Sequence, residues 1–167
     1  MHYRPYTPAD RAACLAVYDS LAERFFSPGD REQLAAFLDA PQGFFGVLCE
    51  DDGAVVGCGG IGSRDEGWTA VLTWGMVRAD RHGHGLGRAL GLARLLRLGE
   101  MPEVTRVTLN TSNEAVGFFE KLGFRVVKVT PDGYRAGLDR YDLELPVDEE
   151  LRRRLAEFGD APGERGE

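Results

Sequence analysis

TWGMVRADRHGHGLGRALGLARLL, residues 73–96, divides into a strand, a turn and a helix. The apolar run at 68–77 reads as the strand, and ADRHGHGLGR is too rich in glycine to continue it. From Leu86 onward the apolar spacing predicts a helix. Gly83, Gly85 and Gly87 remove Cβ atoms from the turn, so backbone N–H groups can approach an anion there. The free N–H groups at the helix start add the positive end of its dipole. The pattern predicts a phosphate cradle, with a pyrophosphate as the expected ligand. Along the helix, Leu86, Ala89, Leu90, Ala93 and Leu96 share one stripe, while Arg88, Arg94 and Arg97 fall off it. Arg88 is nearest the cradle, where its charge meets either a phosphate or only solvent.

These residues resemble the acetyl-coenzyme A loop of the GNAT N-acetyltransferases, whose core reads Q/R-x-x-G-x-G/A. Aligned on its glycines, the motif spans 82–87: Gly85 and Gly87 match, and His82 stands where Gln or Arg is usual, with Arg81 one residue early. Downstream, SNEAVGFFEKLGF at 112–124 is similar to the family segment N-x-x-A-x-x-x-Y-x-x-x-G-F. The resemblance spans roughly residues 2–145, and two matches in order are far more specific than one.

The resemblance implies an α/β (α+β) fold of the GNAT acyl-CoA N-acyltransferase kind. Its central sheet would be mixed and mostly antiparallel, with helices on both faces and strands splayed around acetyl-CoA. Acetyl-CoA is the implied cosubstrate, its pantetheine arm pairing with the backbone of Gly75, Met76 and Val77. The phosphates would lie against His82, Gly83, His84, Gly85, Leu86, Gly87 and Arg88, with further contacts from Ser112, Asn113 and Phe119. The implied reaction moves an acetyl group to the primary amine of a small molecule or a peptide, directly, in a ternary complex.

Such a transfer needs a deprotonated nucleophile, donors for the developing oxyanion and a proton for the leaving thiolate. The family's usual acid is a tyrosine, and the matching residue here is Phe119, which has no proton to give. Ser112 occupies the motif's asparagine position, with Asn113 beside it, and residues 68–77 contain no Asp, Glu or His. Candidates elsewhere are Asp65, Glu66, Tyr134, Asp139 and Tyr141, of which Tyr134 is the first choice as surrogate acid, with water as the base. His82 and His84 lack neighbouring ligands for a metal pair, so no metal is expected. Two other classes remain open. Loss of the tyrosine would suit a non-catalytic acetyl-CoA sensor or interaction module. GCGGIG at 57–62 fits the dinucleotide pattern G-x-G-x-x-G, but no helix follows to receive phosphates, so a bulge or a close backbone approach is expected there.

A length of 167 residues with 43% hydrophobic content suffices for one domain with a substantial core. The expected boundaries are a GNAT domain at 1–146 and a C-terminal helix with a flexible tail at 147–167. The net charge of −7 argues against a nucleic-acid surface and favours cationic ligands. Cys14, Cys49 and Cys58 have no metal-ligand spacing, and no basic region precedes an apolar stretch at the start, so a reducing cytoplasm is expected. No run approaches the ~20 apolar residues of a membrane helix. Edge strands and apolar helix faces predict a possible homodimer.

The remaining chain reads simply. Thr7-Pro8-Ala9-Asp10 signals a helix start, and the apolar spacing carries that helix to about residue 23. Ser27-Pro28-Gly29-Asp30 starts a second helix, ending before Pro41. The resemblance implies that these two helices border the acceptor site, so Phe25, Phe26, Phe44 and Phe45 could line a pocket, but their periodicity is read as core. Hairpins are expected around Asp51-Asp52-Gly53 and Pro131-Asp132-Gly133. A strand at 104–110 leads to a short helix capped by Ser112 or Asn113 and ended by Gly123. Residues 148–158 form a last, exposed helix.

Overall fold

The computed structural model describes residues 1–159. The expected flexible tail falls mostly at 160–167, outside the described residues. β1 (His2–Pro5) leads through a 3-10 turn at Pro8–Asp10 into α1 (Arg11–Asp19). Thr7 and Asp10 make the reciprocal bonds of a capping box, but these close a single tight turn and the α-helix begins only at Arg11. The helix expected to reach residue 23 stops at Asp19, where the Ser20 hydroxyl donates back to the Val17 carbonyl at 2.6 Å and competes with the ladder. One further turn, α2 (Ala22–Phe25), precedes α3 (Asp30–Asp39).

Asp10 ties this entry segment to β1. Its carboxylate accepts both terminal nitrogens of Arg4 at 2.8 Å and the Thr7 N–H at 2.8 Å. The Arg4 guanidinium beside it is the main cause of a carboxyl lowered from 3.8 to about 2, against the opposing effect of burial. A depressed acid stabilises the fold fully above its unfolded value and loses that contribution as pH falls through its folded value. Asp10→Asn should therefore cost about 2 kcal/mol at neutral pH. The cost should shrink between pH 3.8 and about 2, measurable as converging urea midpoints; a penalty independent of pH would refute the pairing.

β2 (Phe44–Cys49) and β3 (Val55–Arg64) form the expected hairpin, with Gly53 at φ +87° in its turn. GCGGIG lies wholly inside β3. β4 (Thr69–Val77) follows, then α4 (Leu86–Leu96), β5 (Arg106–Ser112), α5 (Val116–Lys121), β6 (Arg125–Arg135), β7 (Leu138–Pro146) and α6 (Glu149–Gly159). Gly123 closes α5 at φ +97°, as expected, but neither Ser112 nor Asn113 caps its start: Ala115 holds the N-cap position, with its N–H on the Ser112 carbonyl at 3.0 Å.

The last hairpin differs from expectation. β6 runs past Pro131-Asp132-Gly133 to Arg135, and the chain reverses before Leu138, with Gly137 at φ +77°. Asp132, at φ +51°, gives its N–H to the Asp139 carboxylate at 2.8 Å and accepts the Gly137 N–H at 2.7 Å. These side-chain bonds turn the Pro-Asp-Gly signal into an irregularity within the strand pair, between Thr130 and Arg135.

The seven strands form one sheet in the order β1-β2-β3-β4-β5-β7-β6, antiparallel throughout except for β4–β5. Strand alternation sends Phe45, Val47 and Cys49 to the face covered by α1 and α3, and Leu48 to the face where Leu90 of α4 packs. The larger core on the α4 face joins Leu95 and Leu98 to Val107, Leu109, Leu143 and Leu145. α6, expected to be an exposed helix, is anchored there: Leu155 is buried, and the Arg152 guanidinium donates to the carbonyls of Leu98, Met101, Pro102 and Val104.

Candidate active site

β4 and β5 pair in parallel only from Thr69–Arg106 to Val71–Thr108. Beyond that, β4 follows β3 as far as Val77 and β5 follows β7 as far as Ser112, so their inner edges separate. A bulge helps to part them. Cys58 pairs with Met76 but Gly60 pairs with Thr73, leaving Gly59 opposite both Trp74 and Gly75. Trp74 takes φ +46° to accommodate the extra residue. The gap opens into a cavity of about 780 Å³ lined by Leu72–Val77 of β4 and Leu109–Ser112 of β5. Backbone donors and acceptors on these facing edges have no strand between them, which suits an extended ligand carrying amides of its own.

One end of the cavity is the glycine turn. Gly83 and Gly85 take φ +80° and +78°, the region that L side chains rarely adopt, and Gly85 is the N-cap of α4 with no side-chain bond closing the helix. The first N–H groups of α4 are therefore open to an anion. The histidines shape the turn. His82 Nε2 lies 2.7 Å from the Val77 carbonyl and His84 Nδ1 lies 2.9 Å from the His82 carbonyl, so each ring donates N–H to the backbone. Arg81 is held by Glu50 at 2.9 Å.

The expected cofactor residues Gly75, Met76, Val77, His82 and Gly83 all line the cavity, as do Gly85, Gly87, Ser112 and Phe119. His84, Leu86, Arg88 and Asn113 do not. Leu86 packs beside Val77 and Leu90, and the Asn113 side-chain oxygen accepts the Asp139 N–H at 3.2 Å. Arg88 is exposed and makes no ion pair among the described residues.

Aromatic side chains also line the cavity, and Phe25 reaches the glycine turn, its ring centroid 6.3 Å from that of His82. Phe25, Phe26 and Phe45 pack in the core under α1 and α3 and Phe44 in the larger core, as read from sequence, and Phe25 and Phe26 also border the cavity with Trp74 and Tyr134. The Tyr134 hydroxyl donates to the Asn110 side-chain oxygen at 2.5 Å, and burial pushes its pKa up to about 12. Asp65, Glu66, Asp139 and Tyr141 lie outside the lining. Asp139 is taken up by the Asp132 N–H, and Tyr141 packs against the larger core.

Sequence reasoning missed Asp30 and Glu114, two carboxylates at the cavity, and Thr73, whose buried hydroxyl has no partner. It also misplaced Arg94. The buried stripe of α4 is Leu90, Gly91, Arg94 and Leu95, with Ala89 exposed, so the helix is rotated from the expected face. Arg94 is only 2% exposed and lies against Gly59 and Gly75, whose missing side chains leave it room. No local signal marked that position, because the space belongs to two strands distant in sequence.

Among the described residues no group of three or more His, Cys, Asp or Glu is arranged to hold a metal ion, and no helix is long and apolar enough to cross a membrane. Among curated proteins no relative matches the chain. Among solved structures it is similar to a GNAT-family protein from Desulfovibrio desulfuricans, at 28% identity and TM-score 0.71, over 87% of this chain and 98% of that one. It shares the fold of YncA from Salmonella typhimurium, solved with acetyl-CoA, at 22% identity and TM-score 0.69, over 89% and 95% of the two chains. It also shares the fold of an aminoglycoside 6′-N-acetyltransferase complexed with coenzyme A, at 13% identity and TM-score 0.72, over 87% and 97%. The model of the acetyltransferase (GNAT) family matches residues 14–124, and the chain belongs to that family.

Proposed function

We propose that the protein is an N-acetyltransferase that moves the acetyl group of acetyl-CoA to the primary amine of a small cationic molecule or a peptide, within a ternary complex. The observation that carries this reading is the parting of β4 and β5 above an uncapped helix start. The residues fit the cosubstrate on that geometry and on Gly83 and Gly85, whose left-handed backbone disfavours other residues in the turn. Gly75, Met76 and Val77 would offer their free backbone edge to the pantetheine amides. The turn from His82 to Arg88 would face the phosphates, with its amides in contact and Arg88 and the histidines at its rim. Bound there, acetyl-CoA would supply an acyl group already activated as a thioester.

The aromatic lining suits the acceptor. Phe25, Phe26, Trp74 and Tyr134 line the cavity and Asp30 adds a carboxylate, a combination that attracts a cationic amine. An amine held there against the thioester needs little acid–base help, and proximity supplies much of the acceleration. Tyr134 is the candidate group for the acid role. Its pKa of about 12 makes proton transfer to an ordinary thiolate, near ~8.5, uphill by several kcal/mol. We therefore assign it hydrogen bonding rather than full proton donation. Tyr134→Phe should lower kcat about tenfold, equivalent to ~1.4 kcal/mol. A loss beyond about a thousandfold would instead make it the proton donor.

One observation favours a second reading, a non-catalytic acetyl-CoA sensor: Phe119 has no hydroxyl and that of Tyr134 is engaged by Asn110. Thiol release from acetyl-CoA, followed over a panel of primary amines and peptides, separates the two. Release that depends on one class of amine supports transfer and names the acceptor. Tight binding without release on any amine supports the sensor, and no binding sinks both.

We assign the catalytic domain to residues 1–146, with 147–167 as an appended helix and tail, and place the protein in a reducing cytoplasm where its three buried cysteines stay unpaired. Its partners on this reading are the amine and a second copy of the chain, with no nucleic acid or membrane. The edge strand β6 exposes Val127 and Val129, and pairing there would form the dimer. Sedimentation should give a dimer that Val127→Lys disrupts; a monomer at all concentrations would refute it.

A further inference from the structure

Arg94 is a buried charge with few partners, 2% exposed. Its guanidinium is buried between α4 and the β3–β4 bulge, and its one hydrogen bond among the described residues runs from Nε to the Leu90 carbonyl at 3.3 Å. Neither terminal nitrogen has a partner, although Arg94 reaches the cavity. Among the described residues no carboxylate is a charge partner of it. The titratable neighbours are Tyr3 of β1 and Cys58 of β3, with Arg97 close to Tyr3. Burial raises Tyr3 to about 12, and Cys58 is raised through its bond to Cys14 and its burial, so neither offers negative charge at neutral pH. Burial lowers Arg94 itself to about 10, which leaves it cationic. A buried, unpaired cation is costly, and proteins retain one where a ligand brings the opposite charge.

The place of Arg94 in the fold says which part of a ligand meets it. Arg94 lies eight positions beyond Leu86, roughly 12 Å along the helix from the anion-binding turn. A ligand with its phosphates at that turn and its arm along the β4 edge from Val77 brings its far end to Gly75. The guanidinium waits there: a Cβ on Gly75 would lie 2.6 Å from Nη1 and 2.8 Å from Nη2. Phe119 lines the same cavity and has no polar atom to offer the reacting group.

We propose that Arg94 is a catalytic residue whose guanidinium stabilises the thiolate released from the acyl donor. In transfer, the amine nitrogen forms its bond to the acyl carbon as the carbon–sulfur bond breaks. That electron pair leaves on sulfur, and the amine's proton passes to solvent. The product sulfur carries one negative charge, and Arg94 is the cation placed to meet it without giving up a proton. The assignment rests on the acyl-transfer reading and adds to it the group that takes the leaving-group charge.

The test is the ionisation of coenzyme A bound to the full chain, read from the ultraviolet absorbance of its thiolate as pH is raised. Bound to wild type, the thiol should ionise roughly one pH unit or more below free coenzyme A. Arg94→Gln should abolish that shift and Arg94→Lys should keep part of it, while affinity for a coenzyme A analogue lacking the thiol stays the same. If Arg94→Gln does not fold, Gly59→Ala, whose Cβ would lie 3.2 Å from Arg94 Cδ and 3.3 Å from Nη1, crowds the guanidinium and serves the same comparison. An equal shift in wild type and Arg94→Gln overturns the proposal. A preference for succinyl-CoA over acetyl-CoA that Arg94→Gln removes also overturns it, because Arg94 then reads a carboxylate on the acyl group. Failure of wild type to bind coenzyme A overturns the acyl-transfer reading as well, whereas binding with an unshifted thiol removes Arg94 alone.

Discussion

Gly85→Glu is expected to weaken coenzyme A binding at least about 100-fold, or ~2.7 kcal/mol, without unfolding the protein. Two effects add at this position. Gly85 sits at φ +78°, where any side chain costs about 1–2 kcal/mol. The new carboxylate would stand at the start of α4, against the phosphates that the proposed function places there. A Cβ there meets nothing within 4 Å, so no steric clash threatens the core. An acid at a helix N-terminus is itself favourable by a few tenths of a kcal/mol, which offsets part of the strain. The loss should therefore appear in ligand titration far more than in the melting temperature. Unchanged affinity would remove the phosphate role from the turn, and with it the strongest support for acyl transfer.

Gly60→Ala is expected to destabilise the protein by about 3 kcal/mol, while Gly62→Ala, two residues along the same strand, should stay within about 0.5 kcal/mol. A Cβ on Gly60 would lie 2.6 Å from the Phe44 carbonyl oxygen and 2.9 Å from the Phe45 ring. The first of these is backbone of the paired strand and cannot swing aside. A Cβ on Gly62 has only the Gln42 carbonyl nearby, at 3.9 Å. In a domain of this size the first change should lower the melting temperature by roughly 6–12 °C and the second hardly at all. Equal effects would show that the β2–β3 pairing tolerates a side chain. Loss of dinucleotide binding, rather than of stability, would revive the phosphate reading of GCGGIG.

Both expectations concern glycines, and they show how far local pattern reaches. The turn at Gly83 and Gly85 was legible because its requirement is local: a strand ends, the backbone must turn left-handed, and a helix begins. The glycines at 57–62 match a phosphate motif as letters, but the absence of a following helix already separated them from one. Their actual task could only be anticipated as close approach. Which backbone approaches depends on strand partners far away in sequence, such as Phe44 for Gly60 and Gly75 for Gly59.

The candidate site divides in the same way. Its cofactor half follows from contiguous residues, and most of those expected from the chain do line the cavity. Tyr134 also reaches it, through a hairpin whose turn was misplaced, because the bonds of Asp132 to Asp139 and Gly137 override the usual reversal of Pro-Asp-Gly. The proposed acceptor half joins α2, α3, β4 and β6, and no periodicity within one segment announces that Phe25, Asp30, Trp74 and Tyr134 line one cavity.

By itself the amino-acid sequence determined the order of strands and helices, the glycine turn before α4 and the family. These rest on backbone preference, apolar period and glycine placement, all of which act over a few neighbouring residues. Only the tertiary structure decided that β4 bulges at Trp74 and parts from β5, and that α4 turns its arginine inward. Burial is a property of what packs opposite. A helix cannot encode alone which face meets the sheet when the missing side chains that admit Arg94 lie on two other strands.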